Sequence, residues 1–434
     1  MATYYMSPSG SDSNTGGIGD PWFSFNAAWS NLNAGDTLYL RGGTYSFTAR
    51  QQMFNRSGTS GNMINIWNYP DETPILTRVA GLNTTYGIEI ENCDYIHFKG
   101  LEITGWEEPQ ANSWYLSIYA KEINYCIFEQ LSIHDNVNGL YISGRAGIGG
   151  TGATGNLILN CDLYRNSNPT GSDPYGDADG LGIVRCNSTD VNTVSGCRMW
   201  WNSDDGMDFF WNKGHVIVEN TWSFWNGFRR GTFTTGKEGN GIKLGGGGSN
   251  GLRTVRNCLS FQNRKWGINS NGNSGNAILY NNTFYQNCYQ KLTTWAGGIG
   301  LWVIGPVYTV KNNISYDNVL PNGNDRNQIY GVTNVEKNTF PDVSGGTNTT
   351  LYVDDDDFVS LDTTGVTGAR QADGSLPDLN FMKLKDDSNL VDFGVDVGLD
   401  FYGAAPDLGA YEVNPNVTFP STFNGLNRTT KLCF

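Results

Sequence analysis

Three aspartates, Asp204, Asp205 and Asp208, crowd into the stretch NSDDGMD among large aromatic residues. Like charges that close repel, so something must neutralise them. A divalent cation such as Ca2+ suits the task, since it takes about six to eight oxygens at about 2.3 to 2.6 Å. A fourth acid, Asp179 in DADG, sits before a glycine as Asp205 does, and Lys243 stands in GNGIKLGG, ringed by glycines that let another molecule approach the backbone. These residues are far apart in the chain and can act together only if the fold stacks them.

A repeat supplies the stacking. The segments EQLSIHDN, LNCDLYRN, SGCRMWWN, ENTWSFWN, RNCLSFQN, YNNTFYQN and KNNISYDN each end in Asn, at Asn136, Asn166, Asn202, Asn226, Asn263, Asn287 and Asn318. The interval varies between 24 and 37 residues, as expected of one turn of a parallel β-helix with loops of different length inserted. A second short strand follows in six of them: NGLYI, DGLGI, DGMDF, NGIKL, WGINS and GGIGL. Most read glycine, apolar, any residue, apolar, the period-two pattern of a strand with one buried face.

That register turns sequence into proximity, because equivalent positions on successive coils lie about 4.8 Å apart. Asp179 and Asp205 share the column before the glycine. Asp208, Lys243 and Asn269 share the outward column after it. Asp179, Asp204, Asp205 and Asp208 thus form a candidate metal site with Lys243 on the next rung, and Asp177 is a less fixed further ligand. A bound cation disfavours an ammonium nearby and so lowers the lysine pKa, as a general base requires. Lys237 is the rival base, on a loop that the register does not fix. A base beside a cation on the open face of a solenoid suits removal of the proton next to the carboxylate of a uronic acid polymer. No water is consumed, so the paired acids of a glycosidase are not needed.

The remaining composition narrows the class. High glycine (56 residues) and few helical stretches indicate an all-β chain. A formal charge of −14 offers no basic stripe for nucleic acid, and no window is apolar enough to span a membrane. The eight cysteines lack a CxxC pair, and Cys161, Cys197 and Cys258 share one column with Thr221, Asn282 and Asn313, which indicates stacking inside the coil rather than disulfides. A helix over about 23–32 is expected to cap the first coil. Residues near 353–362 and 406–412 are expected to form a cover on the last coils, with Asp354 to Asp357 a solvated acidic turn. One domain over 1–412 and a tail over 413–434 complete the division.

NSDDGMD, DADG and GNGIKLGG, with the opening YYMSPSGSDSN and AGDTLYLRGGTY and the closing ADGSLPDLNFMKL and PDLGAYE, resemble polysaccharide lyase family 9. The resemblance covers 4–412. It implies a right-handed parallel β-helix, calcium held by Asp179, Asp204, Asp205 and Asp208, and Lys243 as catalytic base. It also implies a secreted, periplasmic or cell-surface monomer whose signal peptide has been removed, cleaving the pectin backbone of plant cell walls to 4,5-unsaturated products. The family includes both pectate and rhamnogalacturonan I lyases. Arg229, Arg230, Lys237, Arg264, Lys265 and Asn269 are candidate substrate contacts, and Trp200, Trp201, Trp211, Trp222 and Trp225 a candidate sugar-stacking surface. The rival readings are a non-catalytic calcium-stabilised adhesin or carbohydrate-binding protein and a metal-free β-helical glycosidase.

Overall fold

The computed structural model describes residues 1–82, 84–107, 115–170, 172–303, 305–323, 327–330, 332–340 and 351–414. Three parallel sheets of twelve, ten and ten strands run the length of the solenoid, and in each the strands follow one another in coil order. The first sheet begins at Thr3–Met6 and ends at Val332–Glu336. The second, termed the site sheet, runs from Gln51–Phe54 to Gln328–Ile329 and contains all six of the short glycine-led strands. The third, termed the covered sheet, runs from Gly43–Phe47 to Ile314–Tyr316.

Inside the coils the inward residues stack by type. Ile118, Leu140, Leu181, Met207, Ile242, Ile268 and Ile299 line up along the site sheet, and all belong to one core cluster. The repeating asparagines are buried at the corner after the covered sheet, where the Nδ2 of Asn166, Asn202, Asn226, Asn263 and Asn287 each donates to the Oδ1 of the next asparagine at 2.9 to 3.0 Å. The turn leaves amides without a strand partner, and the ladder satisfies them while fixing the coil register. A second ladder runs through Cys258, Asn282, Asn313 and Asn338. Seven cysteines are described, all of them buried and none in a disulfide with another described residue.

The capping helix is shorter than expected. Ser24 caps the turn Phe25–Ala28, which passes into the 3-10 turn Trp29–Asn31. The Asn31 side chain takes the Ala27 carbonyl at 3.0 Å, and Leu32 turns extended to reach the core. Phe25, Ala28 and Trp29 close the first coil as a cap must.

The C-terminal cover extends further than the last coils. Phe358, Val366, Phe381, Met382, Leu384 and Leu408 pack over outward residues of the covered sheet from Trp200 to Ile314. Arg198 forks onto Asp162 with two bonds of 2.7 Å and gives its Nη1 donors to the carbonyls of Val366 and Gly368. Arg370 reaches back from the cover to the same Asp162. Among the acids of the cover, Asp354 caps the turn Asp355–Asp357, and Asp357 accepts the Ser388 hydroxyl at 2.7 Å. The expected tail, 413–434, lies outside the described residues apart from Val413 and Asn414.

Candidate functional site

The outward column of the site sheet carries the candidate residues. Strand pairing places Gly182, Asp208, Lys243 and Asn269 side by side on four successive coils. Lys243 Nζ lies 2.9 Å from Asp208 Oδ2 and 3.1 Å from Asp205 Oδ2. One column over, Asp179 and Asp205 occupy equivalent positions, and the Asp205 amide donates to Asp179 Oδ1 at 3.0 Å. Asp179, Asp205 and Asp208 each present an oxygen within 4.8 Å of the others.

Asp179 has both oxygens hydrogen-bonded, whereas Asp205 and Asp208 each keep one oxygen without a hydrogen bond. Asp205 Oδ1 accepts both the backbone and side-chain amides of Asn240 at 2.7 Å. Its Oδ2 is buried with no hydrogen bond, as is Asp208 Oδ1. Asp205 Oδ2 has only the Lys243 ammonium beside it at 3.1 Å, and a buried polar atom left without a hydrogen bond costs about 1 to 3 kcal/mol, more when charged, so the two oxygens mark a place that a cation would complete. The oxygen-only donor set suits a hard divalent cation, and the three residues fit calcium. Asp204 stands beside this trio with both oxygens engaged by backbone, accepting from the amides of Asp177 and Glu238 at 3.0 Å. Asp177 is in the left-handed region (φ 50°) and exposed.

The electrostatics record the crowding. Burial pushes the Asp179 and Asp204 carboxyls well above the usual range, and neighbouring aspartates add to it. Asp208 is pushed up to about 6 by burial, against the pull of Lys243. Burial alone would lower the Lys243 ammonium, but Asp208, Asp205, Asp204 and Asp179 outweigh it and hold the group well above its ordinary value. The side chains by themselves thus keep Lys243 charged.

One member of the site escaped the sequence reading. Tyr141 lies in the same outward column, one coil before Gly182, and its hydroxyl donates to Asp179 Oδ2 at 2.5 Å. A Cβ on Gly182 would meet the Tyr141 ring at 2.5 Å, so the glycine lets the ring cross its coil. The signal was present as a tyrosine opposite a glycine on neighbouring rungs.

The candidate substrate contacts divide. Asn269 is beside Lys243, its Nδ2 donating to Asn240 Oδ1 at 2.9 Å. The basic residues are engaged within the chain, fastening the loop over 227–239. Arg230 binds Glu107 and the carbonyls of Arg165 and Asn136, Lys265 pairs with Glu238, and Arg264 holds the carbonyls of Lys237 and Glu238. Lys237 pairs with Asp173 at the surface, and Arg229 lies over the Tyr175 ring. The tryptophans do not form one sugar surface. Trp200 and Trp222 are sealed under the C-terminal cover, because their positions point outward from the covered sheet rather than from the site sheet. Trp201 and Trp225 pack together at the following corner. Trp211 is the exposed one, beyond Asp208 on the site-sheet side.

The model of Pel9A-like right-handed β-helix regions matches residues 4–318. The chain belongs to that family. It is 31% identical over 431 residues to pectate lyase L of Dickeya chrysanthemi, covering 95% of this chain and 90% of the relative. Pectate lyase PEL9 of Emericella nidulans is 28% identical over 410 residues, covering 88% and 92%. Among solved structures, that of pectate lyase Pel9A superposes with a TM-score of 0.74 at 28% identity, over 95% of this chain and 97% of that one. A rhamnogalacturonan lyase superposes at 0.73 and 27% identity, over 89% and 97%. The protein is therefore a polysaccharide lyase on a right-handed parallel β-helix, which sets aside the adhesin and glycosidase readings. No described helix is long and apolar enough to cross a membrane.

Proposed function

We propose that this lyase cleaves 4-linked galacturonate in the pectin backbone by calcium-assisted β-elimination, with Lys243 as the base. The observation that carries the reading is the placement of the Lys243 amine against Asp205 Oδ2 and Asp208 Oδ2, with Asp208 Oδ1 beside them buried and without a hydrogen bond. Asp179, Asp205 and Asp208 would hold the cation, with Asp204 in support. When bound, calcium would supply positive charge beside the sugar carboxylate, stabilising the charge that builds as the C5 proton leaves.

The chain's own residues perform the rest. Lys243 acts as the neutral amine and takes the C5 proton. The electron pair of that C–H bond becomes the C4–C5 double bond, O4 departs with its electrons and takes up a proton from solvent, and a 4,5-unsaturated uronide remains. The carboxylates that hold Lys243 as an ammonium are the same ones that would face the cation, so loading the site would free the base. Tyr141 holds Asp179 in place, and Asn269 flanks the amine. The substrate lies outside the cell, so we further propose an exported, monomeric enzyme with a single lyase domain over 1–412 and a tail over 413–434.

Rhamnogalacturonan I is the second reading, favoured by the near-equal superposition on the rhamnogalacturonan lyase. Polygalacturonate and rhamnogalacturonan I should be assayed side by side, with added calcium and with chelator, following the ultraviolet absorbance of the unsaturated product. Growth of absorbance on polygalacturonate that stops with chelator and returns with calcium is expected. Product on rhamnogalacturonan I alone would reassign the substrate, and undiminished product in chelator would remove calcium from the account.

A further inference from the structure

An acidic protein that grips a polyanion needs cations left free for it. The basic residues around the 227–239 loop are engaged by the chain's own acids, carbonyls and rings. Arg185 differs. It follows the site-sheet strand Leu181–Val184 in the left-handed region (φ 52°), and its guanidinium carbon lies 4.0 Å from the centroid of the Trp211 ring. Among the described residues its side chain has no ion pair and no hydrogen bond. A guanidinium stacked on an indole keeps its donors pointing outward in their own plane, the arrangement that takes a carboxylate with two parallel bonds.

The stack is built, and it adjoins the base. Phe210 packs edge-on against Trp211 with centroids 4.7 Å apart, and the same Phe210 ring lies 5.6 Å from Lys243 Nζ. The glycine run after Lys243 makes room for it: a Cβ on Gly246 would stand 2.5 Å from the Phe210 ring, and one on Gly247 would stand 2.2 Å from Trp211 Nε1. These glycines serve the chain's own aromatic shelf, where the sequence suggested only access for a ligand. Trp211 still keeps 37% of its surface exposed.

We propose that Arg185 and Trp211 form a subsite for the carboxylate of a uronate neighbouring the sugar that reacts at Lys243. The guanidinium binds that carboxylate with its fork, and the open part of the indole packs on the sugar's C–H face. The proposal rests on the uronate-lyase reading of the Lys243 site, and its test is a binding measurement that does not depend on turnover.

Calorimetric titration in calcium, on a Lys243→Ala background so that substrate stays intact, would compare an oligogalacturonate with its methyl-esterified form. Adding Arg185→Gln should weaken the acid oligomer about tenfold and change the ester less than twofold, while Arg185→Lys should recover part of the loss. Trp211→Ala should weaken both ligands. Equal losses on acid and ester with Arg185→Gln would make the shelf a stacking surface without carboxylate recognition and overturn the proposal, as would no loss at all. Unaltered thermal unfolding of the Arg185 variants confirms that the fold is intact. A Lys243→Ala protein that still forms product would refute the lyase assignment of Lys243 and leave the Arg185 result to be read from the same titrations.

Discussion

Two outward columns ride on the same coils and differ in what burial does to them. On the covered sheet, Trp200, Phe224 and Phe261 stack with rings nearly parallel and are sealed by apolar residues of the cover. On the site sheet, Asp208, Lys243 and Asn269 occupy the equivalent outward rungs and are almost as enclosed. The first column gains free energy from burial. The second, with Asp179 and Asp205 one column over, buries carboxylates together around a single lysine and leaves two of their oxygens without a hydrogen bond. The inward faces of both are ordinary core, so the solenoid can devote one outer face to stability and load the other with groups that would not choose to be together.

The largest expected effect breaks the covered column. Phe224→Ala should cost about 3 to 5 kcal/mol of stability, the usual penalty for emptying a fully buried aromatic site. Chemical denaturation should register that loss while the product formed per folded molecule stays the same; a matching collapse in turnover by intact protein would mean that the two faces are not independent.

A smaller effect sharpens the site column. Tyr141→Phe removes one hydrogen bond to Asp179 without opening space, and loss of a residue that orients a metal ligand typically costs about tenfold or more in affinity. Calcium titration should report weaker binding, and activity should return at high calcium. Unchanged affinity would reduce Tyr141 to packing.

The smallest is a pH effect on the calcium-free protein. The folded-state pKa of Asp208, about 6, lies above its ordinary value of 3.8, so the folded state binds the proton more tightly than the unfolded chain. That contribution is fully present below about pH 4 and is lost as pH rises through 6. In chelator, the melting temperature should rise by a few degrees between pH 7.5 and pH 5, and Asp208→Asn should flatten the rise. Acids whose pKa is lowered by pairing work the other way only in stronger acid, as Glu129, at about 2 beside His97 and Lys99, illustrates. A melting temperature that falls over this range would contradict the crowding of buried carboxylates around Asp208.

How far the sequence could be read follows from periodicity. Where glycine, apolar, any residue, apolar recurs, the register of Asp208, Lys243 and Asn269 follows directly, because a strand repeat leaves no freedom in which side chains face out. Asp179 and Asp205 were legible for the same reason. Tyr141 was in register yet unremarked, since only the hydroxyl's reach across Gly182 gives it a role. Arg185 and Trp211 lie at a corner where both residues adopt positive φ, and no repeat marks that pairing. The cover was legible as a cover but not in extent. Its hold on Asp162 depends on Arg198 and Arg370, which are far apart in sequence and share no motif.

The most direct test of the central claim is product formation by Lys243→Ala on polygalacturonate at saturating calcium, with calcium binding measured on the same sample. The account predicts that unsaturated product falls by at least about a hundredfold, the loss expected when a general base is removed, while the carboxylate trio still binds the ion. Product formation near the wild-type rate, with the ion bound, would contradict it.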